Sequence, residues 1–343
     1  MTAVTSALTP PPEGALLFQV VESFVSGFSL FAAAELGIAD ALADGPRTME
    51  ELARATDSHP PSLSRLLQAL ATTGIVTEVE PGRFALTATG TSLQTGRPES
   101  IVPMLELLAK LLLPALQGIA ETVRTGQPAL ARQLGMPLYE YLEQHPELDD
   151  TFGRAMSMLR AVSTPVAEAY DFSWVDTLVD VGGGQGWRTI EVLQAQPHVR
   201  GVLFDRPGAG DGARAALADA GLGERCEIVG GSFFDKVPAG GDCYLLSAVL
   251  PNWGDADALT ILRNTRQAMP DHSRLVIFEP LLPTGDGPHL IRAMDMLMLV
   301  AFGSQLRTDA QLSALLDNAG LRLTRVAATP SPFSAIEAVP ASA

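Results

Sequence analysis

The sequence predicts an α/β protein: a doubly wound, Rossmann-like domain preceded by a mostly helical region with a winged-helix pattern. Three observations support this fold class. Strand and helix patterns alternate from residue 177 to residue 326. A buried apolar run ends in a glycine-rich turn at residues 182–186, as in nucleotide-binding sheets. Two short helical patterns and a hairpin pattern occupy residues 48–87.

Composition restricts the class of protein. The chain has 343 residues, which favours two domains, and 47% of them are hydrophobic, enough for packed cores. Its formal charge of −16 argues against nucleic acid as a partner, because phosphate binding needs clustered Lys and Arg. The two cysteines, Cys226 and Cys243, give neither a disulfide framework nor metal-ligand spacing. We therefore predict a cytoplasmic protein without a metal site.

Targeting and membrane signals are not predicted. Residues 1–14 are rich in Thr and Pro and lack the basic region of a signal peptide. The longest apolar stretches carry charges or prolines at short intervals, so none is predicted to span a membrane. The mean hydropathy of +0.19 is high, which a large apolar interface between subunits would explain.

The first helical region is apolar on most sides. Residues 15–25 and 28–42 show two helical patterns, and Glu22, Glu35 and Asp40 are the charges that interrupt them. A helix that is apolar on most sides must be buried on most sides. We therefore expect these helices to pack against a second copy of the chain, giving a homodimer.

A winged-helix module follows. Thr48 and Glu51 form a capping box for one helix, a second helix covers residues 61–73, and residues 75–87 form a hairpin. The second helix would be the recognition helix in a DNA-binding protein, but Arg65 is its only base. We therefore predict a structural or dimerising wing.

We divide the chain into residues 1–100, the winged-helix dimerisation domain, residues 101–170, linking helices, and residues 171–343, the cofactor domain. The helical patterns of the middle segment cover residues 104–122, 138–142 and 152–169, with a loop or short helix at 126–136. These helices are expected to wall a substrate pocket. Met156 belongs either to that pocket or to ordinary core.

The last segment alternates strands and helices, which predicts a parallel sheet with ligands beyond the carboxyl ends of its strands. The predicted strands cover residues 177–181, 200–204, 226–229, 242–247, 273–279 and 321–326. The predicted helices cover residues 187–196, 210–220, 256–268 and 308–318.

The glycine-rich turn favours S-adenosylmethionine over NAD. A dinucleotide turn wants glycine or alanine five residues after its first glycine, and counting from Gly182 that residue is Trp187. Asp180 precedes the glycines, where a carboxylate can meet the amino-acid part of S-adenosylmethionine. Asp205 closes the next apolar run and is placed to accept hydrogen bonds from ribose hydroxyls.

With these motifs, the sequence resembles the S-adenosylmethionine-dependent O-methyltransferases that act on plant phenolics and bacterial polyketides. The matching motifs include Val179-Asp180-Val181-Gly182-Gly183-Gly184, Phe204-Asp205-Arg206-Pro207, Gly231-Ser232-Phe233-Phe234, Leu250-Pro251-Asn252-Trp253-Gly254-Asp255 and Arg307-Thr308. The resemblance implies S-adenosylmethionine as cofactor, Asp205 at the ribose, and Ser232 and Phe233 at the adenine. The predicted cofactor-binding residues are Asp180, Gly182, Gly184, Asp205, Arg206, Ser232, Phe233 and Ser247.

The usual general base of this family is missing. Family members have His where this chain has Pro251, and the Glu that orients that His is replaced by Leu306. A phenol has a pKa of about 10, so a base normally speeds its methylation at neutral pH. Asp255 remains as an acidic residue, and we expect it to cap the helix that starts near Ala256. The combination resembles a subgroup of anthracycline tailoring enzymes, which includes methyltransferases and hydroxylases.

Several residues are candidates for replacement catalytic groups and for the substrate pocket. The catalytic candidates are Asp255, His289 and Tyr139. The predicted substrate pocket contains Trp253, Asn252, Met156, Asp295, Met298 and Phe302. His289 precedes a helix that should face the acceptor, and Asp295, Met298 and Phe302 follow helical spacing on that helix.

Three functions stay open. The first is an O-methyltransferase that tailors a small aromatic or polyketide natural product, with proximity as the main catalytic term. The second keeps the cofactor as a fixed positive charge for hydroxylation, decarboxylation, dehydration or pericyclic cyclisation, without methyl transfer. The third is a catalytically inactive homologue that binds a ligand.

Overall fold

The computed structural model describes residues 14–97, 99–285 and 291–341. The chain forms two compact units, Met1–Leu105 and Glu106–Ala343. Each unit has its own hydrophobic core.

The first unit is helical with a small antiparallel sheet. Its elements are α1 (Ala15–Glu35), α2 (Ile38–Ala41), β1 (Arg47–Thr48), α3 (Met49–Ala55), α4 (Pro60–Thr72), β2 (Val76–Glu80) and β3 (Arg83–Leu86). The predicted capping box is present, because Thr48 Oγ1 accepts from the Glu51 amide and the Glu51 carboxylate accepts from the Thr48 amide. The strands run in the order β1-β3-β2, and Leu63, Leu67 and Leu70 of α4 are buried in the core.

Helix α1 is continuous, whereas the sequence predicted two helices separated near Gly27. One glycine costs only about 1 kcal/mol of helix propensity, too little to break a helix of 21 residues. The helix leaves large apolar side chains exposed, including Phe18 and Phe24 at 63% each. By length and composition, Leu17–Glu35 is also long and apolar enough to cross a membrane, whereas no membrane-spanning segment was predicted from the sequence.

Short helices fill the stretch after the winged module. They are α5 (Val102–Leu107), α6 (Leu113–Leu116), α7 (Ile119–Thr125), α8 (Ala129–Leu134), α9 (Leu138–Gln144), α10 (Pro146–Ser157), α11 (Leu159–Val162) and α12 (Val166–Ala169). The predictions of single helices over 104–122 and 152–169 were wrong. A π-helical turn at Leu108–Leu112 and a bend of 57° between Leu116 and Ile119 interrupt the first, and Pro165 separates α11 from α12.

A seven-stranded sheet forms the centre of the second unit. Its strands are β4 (Thr177–Val181), β5 (Arg200–Asp205), β6 (Cys226–Gly230), β7 (Cys243–Ser247), β8 (Arg274–Pro280), β9 (Leu321–Ala328) and β10 (Phe333–Pro340). The order is β6-β5-β4-β7-β8-β10-β9; β4 to β8 are parallel, and β10 is antiparallel to both of its neighbours. Strand β10 was not predicted from the sequence.

Helices cover both faces of this sheet. They are α13 (Trp187–Ala195), α14 (Gly210–Asp219), α15 (Asp255–Ala268) and α17 (Asp309–Asn318), whereas α16 (Ile291–Phe302) packs against the short helices α6, α7 and α8. Strand order reverses at β4, which has β5 on one side and β7 on the other. In such sheets the ligand crevice lies at the carboxyl ends of the strands beside this switch point.

Candidate functional site

The glycine-rich turn follows β4 directly. Gly182, Gly184 and Gly186 have φ of +76°, +55° and +79°, a region that side chains disfavour. A Cβ atom at Gly182 would lie 2.8 Å from Val249 Cγ2, and one at Gly186 would lie 2.7 Å from Leu203 Cδ1. The turn therefore needs glycine both for its conformation and for its close packing.

Asp205 fixes this turn from the end of β5. Its Oδ2 accepts from the Gly184 amide at 2.7 Å, and its Oδ1 accepts from the Arg206 amide at 2.6 Å. Burial raises the pKa of this carboxyl, while the two amides oppose the rise. Each oxygen keeps a further lone pair, so the carboxylate can hold the turn and accept from a ribose hydroxyl.

Asp180 lies beneath the turn. Its side chain is 1% exposed, and its Oδ2 accepts from Thr189 Oγ1 at 2.7 Å. Its Oδ1 has no hydrogen-bond partner among the described residues, and burial raises its pKa to about 6. A Cβ at Gly183 would lie 2.9 Å from the Asp180 carboxyl carbon, so the carboxyl packs against the inner side of the turn.

The remaining predicted cofactor residues border the same strand ends. A cavity of about 220 Å³ is lined by Asp205 and Arg206 and by residues of the β6 end. Ser232 Oγ accepts from the Phe234 amide, and the Phe233 ring lies 5.8 Å from the Trp253 ring. Ser247 ends β7, and its buried hydroxyl has no partner within the described chain.

Three aromatic rings form a stack that we call the aromatic stack: Trp253, Tyr139 and Phe302. The Tyr139 ring is 5.4 Å from Trp253 and 6.0 Å from Phe302, and the planes are within 25° of parallel. Asn252 Nδ2 donates to the Tyr139 hydroxyl at 2.9 Å. Burial is the main cause that raises the pKa of Tyr139, and the negative charge of Asp205 is the second. This phenol therefore stays protonated at neutral pH.

Arg206 joins the cofactor side to this stack. Its guanidinium lies 5.2 Å from the centre of the Tyr139 ring and donates to Asp149 Oδ1 on α10 at 2.9 Å. Arg206 directly follows Asp205 in the chain. The carboxylate that holds the glycine-rich turn and the guanidinium beside Tyr139 therefore belong to adjacent residues.

The segment at the usual base position is a short 3₁₀ turn, Leu250–Asn252. Ala248 before it has φ of +54°, an uncommon conformation for a residue with a side chain. Pro251 is buried, and its carbonyl accepts from Ser304 Oγ at 2.5 Å. The base position is thus filled by an apolar ring inside an ordered segment.

Arg307 belongs to one of the motifs that carry the resemblance, but no role was predicted for it. Its buried guanidinium donates to the carbonyls of Leu250 and Trp253 and to Asp255 Oδ1 at 2.8–3.0 Å. The prediction that Asp255 caps α15 was wrong: the N-cap residue is Gly254, without a side-chain cap, and Asp255 instead binds Arg307. Asp255 and Arg307 are 52 residues apart in the chain, so no local sequence pattern indicates this ion pair.

The other pocket candidates lie on α10 and α16. Asp295 Oδ1 accepts a hydrogen bond from the Leu306 amide at 2.7 Å. One oxygen of Asp295 therefore positions the backbone of Leu306, the residue that replaces the Glu expected from the family resemblance. Met156 and Met298 are partly exposed and stand outside the buried cores. His289 lies outside the described residues.

Glu279, near the end of β8, is a second residue that the sequence reading missed. It is 1% exposed, and burial raises its pKa to about 8, although the Arg307 charge and the Leu250 amide oppose the rise. An acidic residue closing the apolar run 275–278 is the signal that could have found it, as for Asp205. Among the described residues, no group of three or more His, Cys, Asp and Glu side chains could hold a metal ion.

Comparison with known proteins places this arrangement in a family. The O-methyltransferase domain matches residues 117–322, and the O-methyltransferase dimerisation domain matches residues 18–96. Phenazine O-methyltransferase PhzM of Lysobacter antibioticus is 40% identical over 330 residues, 96% of this chain and 97% of that protein. Aclacinomycin 10-hydroxylase RdmB of Streptomyces purpurascens is 36% identical over 316 residues, 90% of this chain and 84% of that protein.

Solved structures of related proteins have the same fold as this chain. The crystal structure of LaPhzM superposes with a TM-score of 0.90 at 40% identity, over 96% of this chain and 99% of that one. The O-methyltransferase NcsB1, solved with S-adenosylmethionine and 2-hydroxy-5-methyl naphthoic acid, superposes with a TM-score of 0.76 at 33% identity, over 92% of this chain and 95% of that one. By its two domains, its relatives and its fold, the chain belongs to the S-adenosylmethionine-dependent O-methyltransferase family.

Proposed function

We propose that the protein methylates a hydroxyl group of a planar aromatic natural product, using S-adenosylmethionine and no histidine base. The observation that carries this proposal is the aromatic stack beside the glycine-rich turn, with Pro251 at the usual base position. Planar rings recognise planar acceptors by stacking, and each such pair contributes about 1 kcal/mol beyond its buried area.

The residues present fit the cofactor. The backbone of Gly182 approaches Val249 so closely that a side chain is excluded, and Asp205 has lone pairs for a ribose. When bound, S-adenosylmethionine supplies a methyl group on a positively charged sulfur. Asp205 and the turn would hold the adenosine part, Ser232 and Phe233 would border the adenine, and Ser247 offers an unpaired hydroxyl at the end of β7.

The residues around the acceptor would contribute to catalysis mainly by holding its hydroxyl group in position. Arg307 and Ser304 hold the backbone around Pro251, and this segment carries Asn252 and Trp253. Trp253 would stack on the acceptor and exclude water, and the Asn252 amide or the protonated Tyr139 hydroxyl would hydrogen-bond an acceptor oxygen. Holding two reactants in line can contribute roughly 7–11 kcal/mol, so a fixed hydroxyl needs less help from a base.

We also infer that α1 packs against a second copy of the chain. Its exposed apolar residues, including Leu17, Phe18, Phe24 and Phe28, form a surface that a monomer would not leave in water. They lie within or directly beside residues 18–96, which match the dimerisation domain. A subunit interface accounts for this helix better than a membrane, because the same helix continues into a module with its own soluble-type core.

The decisive experiment measures cofactor and acceptor together. The protein is incubated with S-adenosylmethionine and a panel of hydroxylated naphthalenes, phenazines and anthraquinones, and both partners are followed by mass spectrometry. We expect S-adenosylhomocysteine in amounts equal to a product heavier by one CH₂ group. Absence of both with every acceptor would overturn the proposal.

A second function is favoured by one observation: both positions that normally activate the acceptor are apolar, Pro251 and Leu306. In this alternative the bound cofactor would supply a fixed positive charge beside the acceptor, and its methyl group would not be transferred. One relative is itself named a hydroxylase. Consumption of an acceptor with S-adenosylmethionine left intact would establish this alternative in the same experiment.

A further inference from the structure

Glu279 is a buried acid whose second oxygen has no partner. It lies one residue before the end of β8, on the edge of the sheet where the carboxyl ends of β4, β5 and β7 also meet. Its side chain is 1% exposed, and Oε2 makes no hydrogen bond to any described residue. Buried polar groups are nearly always paired, so an unpaired carboxyl oxygen needs an explanation.

Alternation along β8 shows which face of the sheet Glu279 occupies. Leu275 and Ile277 belong to one core cluster, and Val276 and Phe278 belong to the cluster on the opposite face. Glu279 therefore shares a face with Leu275 and Ile277. Phe233 and Trp253 pack against that same cluster, so the carboxyl lies on the side of the sheet that carries the proposed acceptor site.

The groups around Glu279 leave its Oε2 available. Arg307 and the Leu250 amide act on the carboxyl and belong to the segments that fix the base position. The acidic groups of the neighbouring helices have partners of their own: Asp255 binds Arg307, and Asp295 binds the Leu306 amide. Pro251 offers no polar side-chain atom.

We propose that Glu279 is the proton acceptor of this site, taking the proton of the acceptor hydroxyl on Oε2 in place of the missing histidine. The inference rests on the proposed methyl transfer. The acceptor O–H bond breaks, its proton binds Glu279 Oε2, and its electron pair stays on oxygen. That pair forms the new C–O bond while the C–S bond of the sulfonium breaks and leaves its electrons on sulfur. The carboxylic acid afterwards loses its proton to water.

The pKa of Glu279 suits this role. Burial places it at about 8, closer to a phenol than an ordinary carboxyl is. Proton transfer is most efficient when the pKa of the base lies near the working pH. The fraction in the active, ionised form then increases as pH rises through about 8.

The test compares two acceptors that differ in acidity. Glu279→Gln removes the charge and keeps the shape, and 1-naphthol is protonated at neutral pH whereas 4-nitro-1-naphthol is ionised. We expect Glu279→Gln to lower kcat with 1-naphthol about 100-fold and with 4-nitro-1-naphthol less than about 3-fold. The wild-type rate with 1-naphthol should rise through pH 8, and this rise should be absent in the variant. Equal losses with both acceptors, or no loss with 1-naphthol, would overturn the proposal.

A matched control and a binding measurement separate this inference from the proposed function. Glu337→Gln removes a carboxylate of β10 that binds Tyr170, Arg274 and Thr324, and should leave the ratio of the two rates unchanged. Binding is measured by calorimetry on enzyme saturated with S-adenosylhomocysteine, with 1-naphthol and 1-methoxynaphthalene as probes. Glu279→Gln should weaken 1-naphthol about 10-fold and leave 1-methoxynaphthalene unchanged.

The binding result stands even if no methyl group moves. A wild type that binds 1-naphthol through Glu279 but releases no S-adenosylhomocysteine would refute the methyl transfer and keep Glu279 as a contact of the acceptor. Equal binding of 1-naphthol by wild type and variant would refute the Glu279 contact, whatever the outcome for methyl transfer.

Discussion

The two sides of the site are built differently. On the proposed cofactor side, the Asp205 carboxylate accepts hydrogen bonds from the backbone amides of Gly184 and Arg206 and so holds the glycine-rich turn against the end of β5. On the acceptor side, the segment around Pro251 is held from residues more than 50 positions away, by Ser304 and Arg307. The first arrangement is local to β4 and β5, and the second depends on one buried guanidinium.

This difference shows which part of the site can change without loss of order. The turn needs glycine at fixed positions, because its φ values and close contacts exclude side chains. The acceptor segment is fixed through its carbonyl groups, so the side chain at position 251 is free of any structural hydrogen bond. A base can therefore be replaced by proline there while the segment keeps its place.

The largest expected effect follows from removing the guanidinium of Arg307. Arg307→Met keeps much of the apolar stem but leaves the carbonyls of Leu250 and Trp253 without their donor. We expect the free energy of unfolding to fall by about 4 kcal/mol, because each unpaired buried acceptor costs 1–3 kcal/mol. Urea unfolding followed by tryptophan fluorescence measures this, since Trp174, Trp187 and Trp253 all lie in the second unit.

Asp255→Asn is the matched control for Arg307. The Asp255 side chain is 64% exposed, so this ion pair should contribute less than about 1 kcal/mol. If both variants lose equally little stability, the acceptor segment is held by something other than Arg307, and the contrast between the two sides disappears.

A smaller effect is expected from pH on the cofactor side. Burial raises the pKa of Asp180 from 3.8 to about 6, so between these values the folded chain keeps a proton that the unfolded chain loses. Its contribution to stability is therefore full below pH 4 and is lost as pH rises to about 6. The free energy of unfolding of the wild type, relative to Asp180→Asn, should fall by about 3 kcal/mol between pH 3.5 and pH 7. A difference independent of pH would contradict the buried, unpaired state of Oδ1.

The smallest effect concerns cofactor affinity. Asp205→Asn keeps the shape of the side chain but weakens its hydrogen bonds to the Gly184 amide and to a ribose. We expect S-adenosylhomocysteine to bind about 30-fold more weakly, a loss of about 2 kcal/mol, in calorimetry. Asp211→Asn, an exposed residue in the first turn of α14, should change affinity less than about 2-fold. Equal affinities for wild type and Asp205→Asn would remove Asp205 from the cofactor site.

Much of the sheet could be predicted from the sequence because its parallel strands are continuous apolar runs. Strand β4 has its predicted bounds, and β5 to β8 differ by one residue or two. Strand β10 was missed because its place depends on pairing with β8 and β9, which no local pattern reports. The first predicted middle helix bends between Leu116 and Ile119, and the second breaks at Pro165; the prediction relied on helical periodicity, which reports neither interruption.

The candidate site, like the sheet, could be predicted where its residues follow a local sequence pattern and not where they meet through distant contacts. The glycines and Asp205 have a recognisable spacing, and the structure brings them together at the ends of β4 and β5. Tyr139, Trp253 and Phe302 were named separately, but their stacking joins three distant elements and has no sequence signal. Arg307 has no local signal for its distant partners, whereas Glu279 closes an apolar run as Asp205 does, and the burial of both side chains is seen only in the structure.

Covering the apolar surface of α1 with a second copy makes the formation of the native protein a second-order process. A chain emerging alone presents Phe18, Phe24 and their neighbours to water and is exposed to aggregation until it meets another chain. The supply of active enzyme then depends on how fast subunits encounter one another, as well as on how fast each one folds.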